Sequence, residues 1–185
     1  MGSEMCIRDR NEIVSEGDYT NMKNYLGTCV KDGSNFVDQI QKRSGDVNMN
    51  GIYDVYDYAF TMFKLDGGTK QTGKASGEAH LAADREEVKA GETFNMIVSA
   101  ECAENINAFG QVINYNPSHM EFVSAAGNDS VAEMENLTIA KTYSDGTAYV
   151  NLAFANRGDK PLYSGSGELA VITMKALADI RPAEE

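Results

Sequence analysis

The chain has 185 residues, enough for one large or two small domains, and a formal net charge of −12 at pH 7. An acidic chain without a Lys/Arg cluster repels phosphate backbones, so we exclude nucleic acid as a partner. No apolar run reaches the roughly 18 to 20 residues that a membrane-spanning helix needs, so no membrane span is predicted.

The first ten residues, Met1 to Arg10, resemble translated sequencing-adapter read-through. They contain no apolar core segment of the kind that defines a signal peptide. We expect this segment to be an assembly artefact or disordered, and the natural gene to begin further upstream. The lack of a signal peptide here therefore does not count against secretion.

Residues 46–57 carry oxygen-bearing side chains at the spacing of an EF-hand calcium loop, with Gly51 at the central turn. Calcium needs six to eight oxygen ligands, and a short loop supplies them only if it turns sharply at a residue that tolerates positive φ. The predicted Ca²⁺ ligands are the side chains of Asp46, Asn48, Asn50, Asp54 and Asp57 and the backbone carbonyl of Ile52.

The closing ligand distinguishes this loop from the tightest EF-hand sites. Asp57 stands where a bidentate Glu is usual, and only three of the five side-chain ligands are carboxylates. We therefore expect modest affinity, suited to millimolar extracellular calcium. The alternative interpretation is a polar Asn/Asp turn without metal.

Apolar stripes at helical spacing flank the loop. One helix is predicted to leave the loop and to end near residue 66, and another to enter it and to stop at residues 44–45. The stripes comprise Val55, Tyr58, Ala59, Met62 and Phe63 after the loop, and Phe36, Val37 and Ile40 before it.

The segment Gly-Asp-Val-Asn-Met-Asn-Gly-Ile-Tyr-Asp-Val-Tyr-Asp-Tyr, residues 45–58, resembles one repeat of a dockerin. Dockerins are calcium-loaded docking modules of secreted polysaccharide-degrading enzymes and carry two such loops, whereas this chain shows one. The resemblance implies a helical dockerin-like module over residues 11–68. A polar, glycine-containing linker is predicted over residues 69–78.

From residue 79 the pattern changes to short alternating strands separated by turn signals, which predicts an all-β sandwich. The predicted strands are 79–83, 94–100, 108–115, 120–124, 137–143, 148–154 and 168–176. Turns are predicted at residues 89–92, 116–118, 144–146 and 164–167. The predicted fold class is therefore α+β and multi-module, with a small helical unit joined to an all-β sandwich over residues 79–180.

Four segments of this half, taken in order, resemble a cohesin domain: residues 88–94, 106–110, 115–123 and 167–175. The resemblance implies a jelly-roll sandwich that binds dockerins through one sheet face. The polar pair that many cohesins offer to a dockerin falls here on Ala108 and Gly110. The family has a further strand beyond residue 177, and if this chain lacks it we expect an unpaired sheet edge.

No catalytic arrangement is apparent in the sequence. His80 and His119 lie in separate segments without a nucleophile motif, and three cysteines show no metal-ligand spacing. Whether Cys29 pairs with Cys102 stays open.

The sequence thus predicts a non-catalytic, calcium-binding docking module of a secreted multimodular carbohydrate-active protein. Its partner would be a protein of the cohesin–dockerin type. The alternative is a carbohydrate-binding module that targets an attached glycoside hydrolase to polysaccharide. An exposed row formed by Tyr143, Tyr149 and Tyr163 would favour sugar, whereas their burial would favour protein docking or a spacer role.

Overall fold

The computed structural model describes residues 16, 17, 20, 55, 57–59, 74–157 and 160–181. Within this part of the chain, eight strands form two antiparallel sheets. The larger sheet has the order β1-β2-β8-β4, and the smaller has the order β3-β7-β5, with β6 also paired to β7. The strands are β1 (Ser76–Ala83), β2 (Thr93–Ile106), β3 (Ala108–Tyr115), β4 (Met120–Gly127), β5 (Glu135–Asn136), β6 (Ile139–Thr142), β7 (Ala148–Ala155) and β8 (Tyr163–Ala176).

One hydrophobic core lies between the two sheets. On β8 the inward residues Ala170, Ile172 and Met174 are fully buried, while the residues between them reach the surface. The core side of β7 is formed by Val150, Leu152 and Phe154, and Phe94 and Val98 contribute from β2. Alternating apolar residues on strands from both sheets therefore build the sandwich.

The predicted β-sandwich is confirmed, and most predicted strands are present with shifted ends. β3 has the predicted bounds, whereas β1 begins at Ser76 and so includes the last three residues of the predicted linker. Among the described residues β3 pairs only with β7, so it forms one edge of the smaller sheet. The turns predicted near residues 89–92, 116–118 and 144–146 are confirmed by their backbone hydrogen bonds.

The strand predicted at residues 137–143 is present as β6 with shifted ends, and the two-residue strand β5 that precedes it was not predicted. β5 ends at Asn136, whose side-chain oxygen accepts the backbone N–H of Thr138 at 3.0 Å. The amide group of Asn136 also donates to the backbone carbonyl of Ala125 at 2.9 Å. This Asx turn competes with strand pairing and separates the two segments.

The turn predicted at residues 164–167 is wrong, because these residues lie inside β8. The strand continues because its pairing with β2 is irregular here, with every three residues of β2 matched to two of β8. Ala100 lies opposite Gly167, and Ala103 lies opposite Gly165. The next pair is Ile106 with Tyr163. Gly165 and Gly167 have φ of +145° and +144°. Only glycine adopts such angles without side-chain strain, so the glycines belong to an irregular strand.

Each of these steps leaves one bulged residue on β2. Cys102 and Asn105 take φ of +49° and +56°, in the left-handed region that is uncommon outside glycine. Their backbone N–H groups donate to the hydroxyls of Ser166 and Ser164 at 2.9 and 3.1 Å. Serine hydroxyls therefore satisfy the backbone donors at both bulges.

Outside the sandwich, Glu16, Gly17, Thr20, Val55 and residues 57–59 have helical backbone. The rest of the predicted helical module lies outside the described residues. In the part of the chain that the structure describes, no helix combines the length and the apolar character needed to cross a membrane.

Candidate functional site

Strand β7 is buried along its whole length, on both of its faces. Val150, Leu152 and Phe154 point into the sandwich core. Tyr149, Asn151 and Ala153 point the other way, where an antiparallel sandwich usually meets water, and they are buried as well. The outer side of the smaller sheet is therefore covered along β7, and this side is the candidate site.

We define the outer face as the outward positions of the smaller sheet, deduced from strand alternation and register. It comprises Ala108, Gly110, Val112 and Asn114 on β3; Tyr149, Asn151, Ala153 and Ala155 on β7; Glu135 on β5; and Ile139 and Lys141 on β6. Ala108 pairs with Ala155 and Gly110 with Ala153, so one end of the face is a block of four small residues. Small side chains allow another backbone element to approach closely.

Helical residues from the front half of the chain lie on this block. A Cβ built on Gly110 would stand 3.2 Å from Cγ1 of Val55 and 2.7 Å from the carbonyl oxygen of Leu152. The hydroxyl of Tyr58 donates to Oε2 of Glu135 at 3.2 Å. Tyr58 is only 1% exposed. The outer face thus contacts a helical element both by close apolar packing and by a hydrogen bond.

The other end of the outer face carries an aromatic pair. The rings of Tyr143 and Tyr149 are 5.7 Å apart, with their hydroxyls at 3.3 Å, and the Lys141 ammonium lies 5.2 Å from the Tyr143 ring. Tyr149 is buried, and Tyr143 and Tyr163 are partly buried. These three tyrosines therefore do not form an exposed row, and by the criterion set above this arrangement favours protein docking or a spacer role over sugar stacking.

Of the predicted calcium ligands, the structure describes Asp57. It is fully buried in helical backbone, next to Tyr58. Asp46, Asn48, Asn50, Ile52 and Asp54 lie outside the described residues. Among the described residues, no three His, Cys, Asp or Glu side chains are grouped as a metal site. The calcium loop therefore stays a prediction.

The remaining sequence candidates lie away from the outer face. His80 is on β1, with Nε2 3.7 Å from Oε2 of Glu101. His119 follows the turn at residues 116–118, where its N–H donates to the carbonyl of Asn116. Cys102 is exposed at a bulge of β2.

Sequence reasoning placed Ala108 and Gly110 at the docking position but missed Ala153, Ala155 and Glu135. A signal for the alanines was present, because β7 carries small residues at two consecutive outward positions. Glu135 gave no signal, since its role depends on a contact with Tyr58, 77 positions earlier.

The fold and the outer face define a small β-sandwich interaction module. A family model of the cohesin domain matches residues 80–184, more than half of the chain, and the chain belongs to the cohesin family. Cohesin domains are non-catalytic docking modules that bind dockerins.

The solved structures that are similar to the chain include two cohesins. A type II cohesin domain from the cellulosome of Acetivibrio cellulolyticus has 15% sequence identity and a TM-score of 0.42, covering 56% of this chain and 70% of that one. A type I cohesin–dockerin complex from Clostridium thermocellum has 18% identity and a TM-score of 0.39, covering 61% and 72%. A comparison with curated protein sequences finds no match.

Proposed function

We propose that this chain is a docking module of a secreted, multimodular carbohydrate-active protein, and that it binds a dockerin-type partner through the outer face of the smaller sheet. The observation that carries the proposal is the packing of helical residues against the small-residue block, where Val55 reaches the surface of Gly110. Membership of the cohesin family supports the docking role. It also supports an extracellular location.

The chemistry of the outer face suits a helical partner. Gly110 and Ala153 bring the sheet backbone near the surface, so a helix packs against them with many short apolar contacts. The Glu135 carboxylate at the rim accepts the Tyr58 hydroxyl, and a hydroxyl or ammonium group of a helical partner would bind it in the same way. Because Ala108 and Gly110 carry no polar side-chain groups, apolar fit would determine affinity and the rim groups would determine orientation.

The docking proposal is tested by measuring binding of the chain to a panel of purified dockerins by biolayer interferometry. We expect binding to at least one dockerin and its loss in Ala153→Glu, because the substitution places a charge in the small-residue block. Val123→Glu is the matched control, since Val123 is 50% exposed on β4 of the larger sheet. A glycan array that shows sugar binding, together with no dockerin binding, would overturn the proposal in favour of the carbohydrate alternative.

We further propose that residues 46–57 bind Ca²⁺ through Asp46, Asn48, Asn50, Ile52, Asp54 and Asp57. The donor set supports this, since it consists of carboxylate, amide and carbonyl oxygens in EF-hand order. The helical backbone of Asp57 suits a closing ligand at the start of an exiting helix. Calcium bound only to the folded form stabilises it by about 2.7 kcal/mol at a hundredfold excess over Kd.

Asp46→Ala tests the calcium site, because it removes the first ligand of the loop. We expect weaker calcium binding by isothermal titration calorimetry, with more mobile amides near residues 36–65 and a sandwich that stays folded. Asp38→Ala is the control, since Asp38 is acidic but lies outside the loop. Calcium binding that is unchanged in Asp46→Ala would remove the assignment.

A further inference from the structure

We infer that the chain covers its own docking face: the helical residues 55 and 57–59 occupy the small-residue block of the outer face and exclude an external partner from it. The inference rests on the proposed function for the role of this face. This contact within one chain would be regulatory, because a partner could bind the small-residue block only after the helical residues had left it.

The burial of β7 is the first observation. Neighbouring strands cover the two edges of β7, and the core covers its inner side. Neither the neighbouring strands nor the core can cover the side chains of Ala153 and Ala155, which point outward and are each 1% exposed. An element outside both sheets must therefore lie over this end of the strand.

The contacts identify that element. Val55 approaches Gly110 on β3, and Tyr58 donates to Glu135 on β5. Since β3 and β5 flank β7, these two contacts place the helical residues across the small-residue block. Tyr58 and Ala59 are themselves buried, so the helical element loses solvent exposure in this arrangement.

A further contact joins the front half of the chain to the end of β7. The guanidinium of Arg157, two residues after β7, lies 3.0 Å from the carboxylate of Glu16. Both side chains are exposed, so this ion pair adds little stability. It shows that a second segment of the front half also lies beside the same end of the sheet.

The cover extends over only part of the face. Gly110 and Val112, also on the outer face, are exposed on β3, Val112 by 44%. A partner therefore has an accessible region on which to begin binding. Because the covering segment is tethered, it competes at a high effective concentration, and an external partner binds with its intrinsic affinity reduced by the fraction of open molecules.

A fluorescent reporter tests the contact in the full chain. The 185-residue chain has no tryptophan, so Tyr58→Trp introduces a single indole whose N–H can replace the hydroxyl donor. We expect emission typical of a buried indole. Adding Val55→Glu, or Ala153→Glu on the sheet side, should shift the emission to longer wavelength and increase acrylamide quenching, whereas Val123→Glu should change neither.

Two results would overturn the inference. One is an indole in Tyr58→Trp as accessible as that in a Val123→Trp reference. The other is an indole that stays buried in both charged variants, because its burial would then arise within the helical element itself. Circular dichroism shows whether the sandwich stays folded, and having a variant on each side of the contact keeps the test valid if one of them unfolds. Emission that changes on dilution would also contradict a contact within one chain, since it would indicate contact between copies.

Partner binding separates this inference from the docking function, because the fluorescence measurement needs no partner. If the closed form makes up about nine-tenths of the molecules, Val55→Glu should tighten dockerin binding roughly tenfold. Unchanged affinity in Val55→Glu, despite an exposed indole, would overturn the exclusion of partners. Absence of dockerin binding in every variant would instead contradict the docking function and leave the contact itself established.

Discussion

The two sheets of the sandwich use their outer sides differently. On β8 of the larger sheet, buried and accessible positions alternate from residue 170 to residue 176. On β7 of the smaller sheet every position is buried. Both strands present the same kind of apolar residues to the core, so the difference arises entirely on the outside. The larger sheet is covered on one side, whereas the smaller sheet is also covered on its outer side along β7, where it contacts a helical element.

The largest expected effect tests whether the inner sides of the two sheets are equivalent. Leu152→Ala on β7 and Ile172→Ala on β8 each remove a fully buried side chain from the shared core. Each should lower the free energy of unfolding by about 2–5 kcal/mol, measured by urea denaturation. Val123→Ala, at an exposed position, should change it by less than about 0.5 kcal/mol. If Leu152→Ala had as small an effect as this control, the smaller sheet would not share the core.

An intermediate effect tests the outer face. Gly110→Ala places a methyl group against the carbonyl of Leu152 and the side chain of Val55. Such overpacking should cost about 1–3 kcal/mol of stability, because the backbone oxygen cannot move away freely. The neighbouring Gln111→Ala, at an exposed position of the same strand, is the control. Equal stability of the two variants in denaturant would contradict the close approach of the Leu152 carbonyl and the Val55 side chain to Gly110.

The smallest expected effect concerns the connections between the sheets. Glu133 lies between β4 and β5, Lys160 between β7 and β8, and their side chains form a hydrogen bond of 2.7 Å. This hydrogen bond and the charge of Lys160 hold the pKa of Glu133 below its ordinary range. A carboxyl with a lowered pKa in the folded state stabilises the protein above its unfolded pKa, and this contribution is lost as the pH falls through the folded value.

Glu133→Gln should therefore lower the denaturation midpoint slightly near neutral pH and not at all in acid. Thermal melts of both proteins from pH 7 to pH 3 would show the difference closing. Lys160→Met removes the other partner, and in its background Glu133→Gln should have no further effect near neutral pH. A difference that persists at pH 3 would assign the effect to packing instead of charge.

Local patterns in the sequence predicted much of the sandwich. Strand β3 has the predicted bounds, and the inward set on β7 follows from simple alternation. The errors have local and long-range causes. The two-residue strand β5, which ends at the Asx turn of Asn136, was not predicted, and Gly165 and Gly167 indicated a turn although they lie in the irregular pairing of β8 with β2.

The candidate site was predictable only in part. The position of the docking strand came from the cohesin resemblance, and the structure places Ala108 and Gly110 on the outer face. The coverage of that face was not predictable, because it depends on Val55 and Tyr58, which are far away in the chain. The calcium ligands stay a prediction from spacing, with Asp57 alone among the described residues.

The two bulges of β2, at Cys102 and Asn105, restrict how the two-stranded ribbon of β2 and β8 can change in length. At each bulge, three residues of β2 are matched to two of β8. This irregular pairing keeps Ala100, Ala103 and Ile106 on the core side. Deleting a single residue from β2 here would turn every following side chain to the opposite side. An insertion or deletion is tolerated only as a whole three-against-two unit, so homologous ribbons of different length should differ by such units.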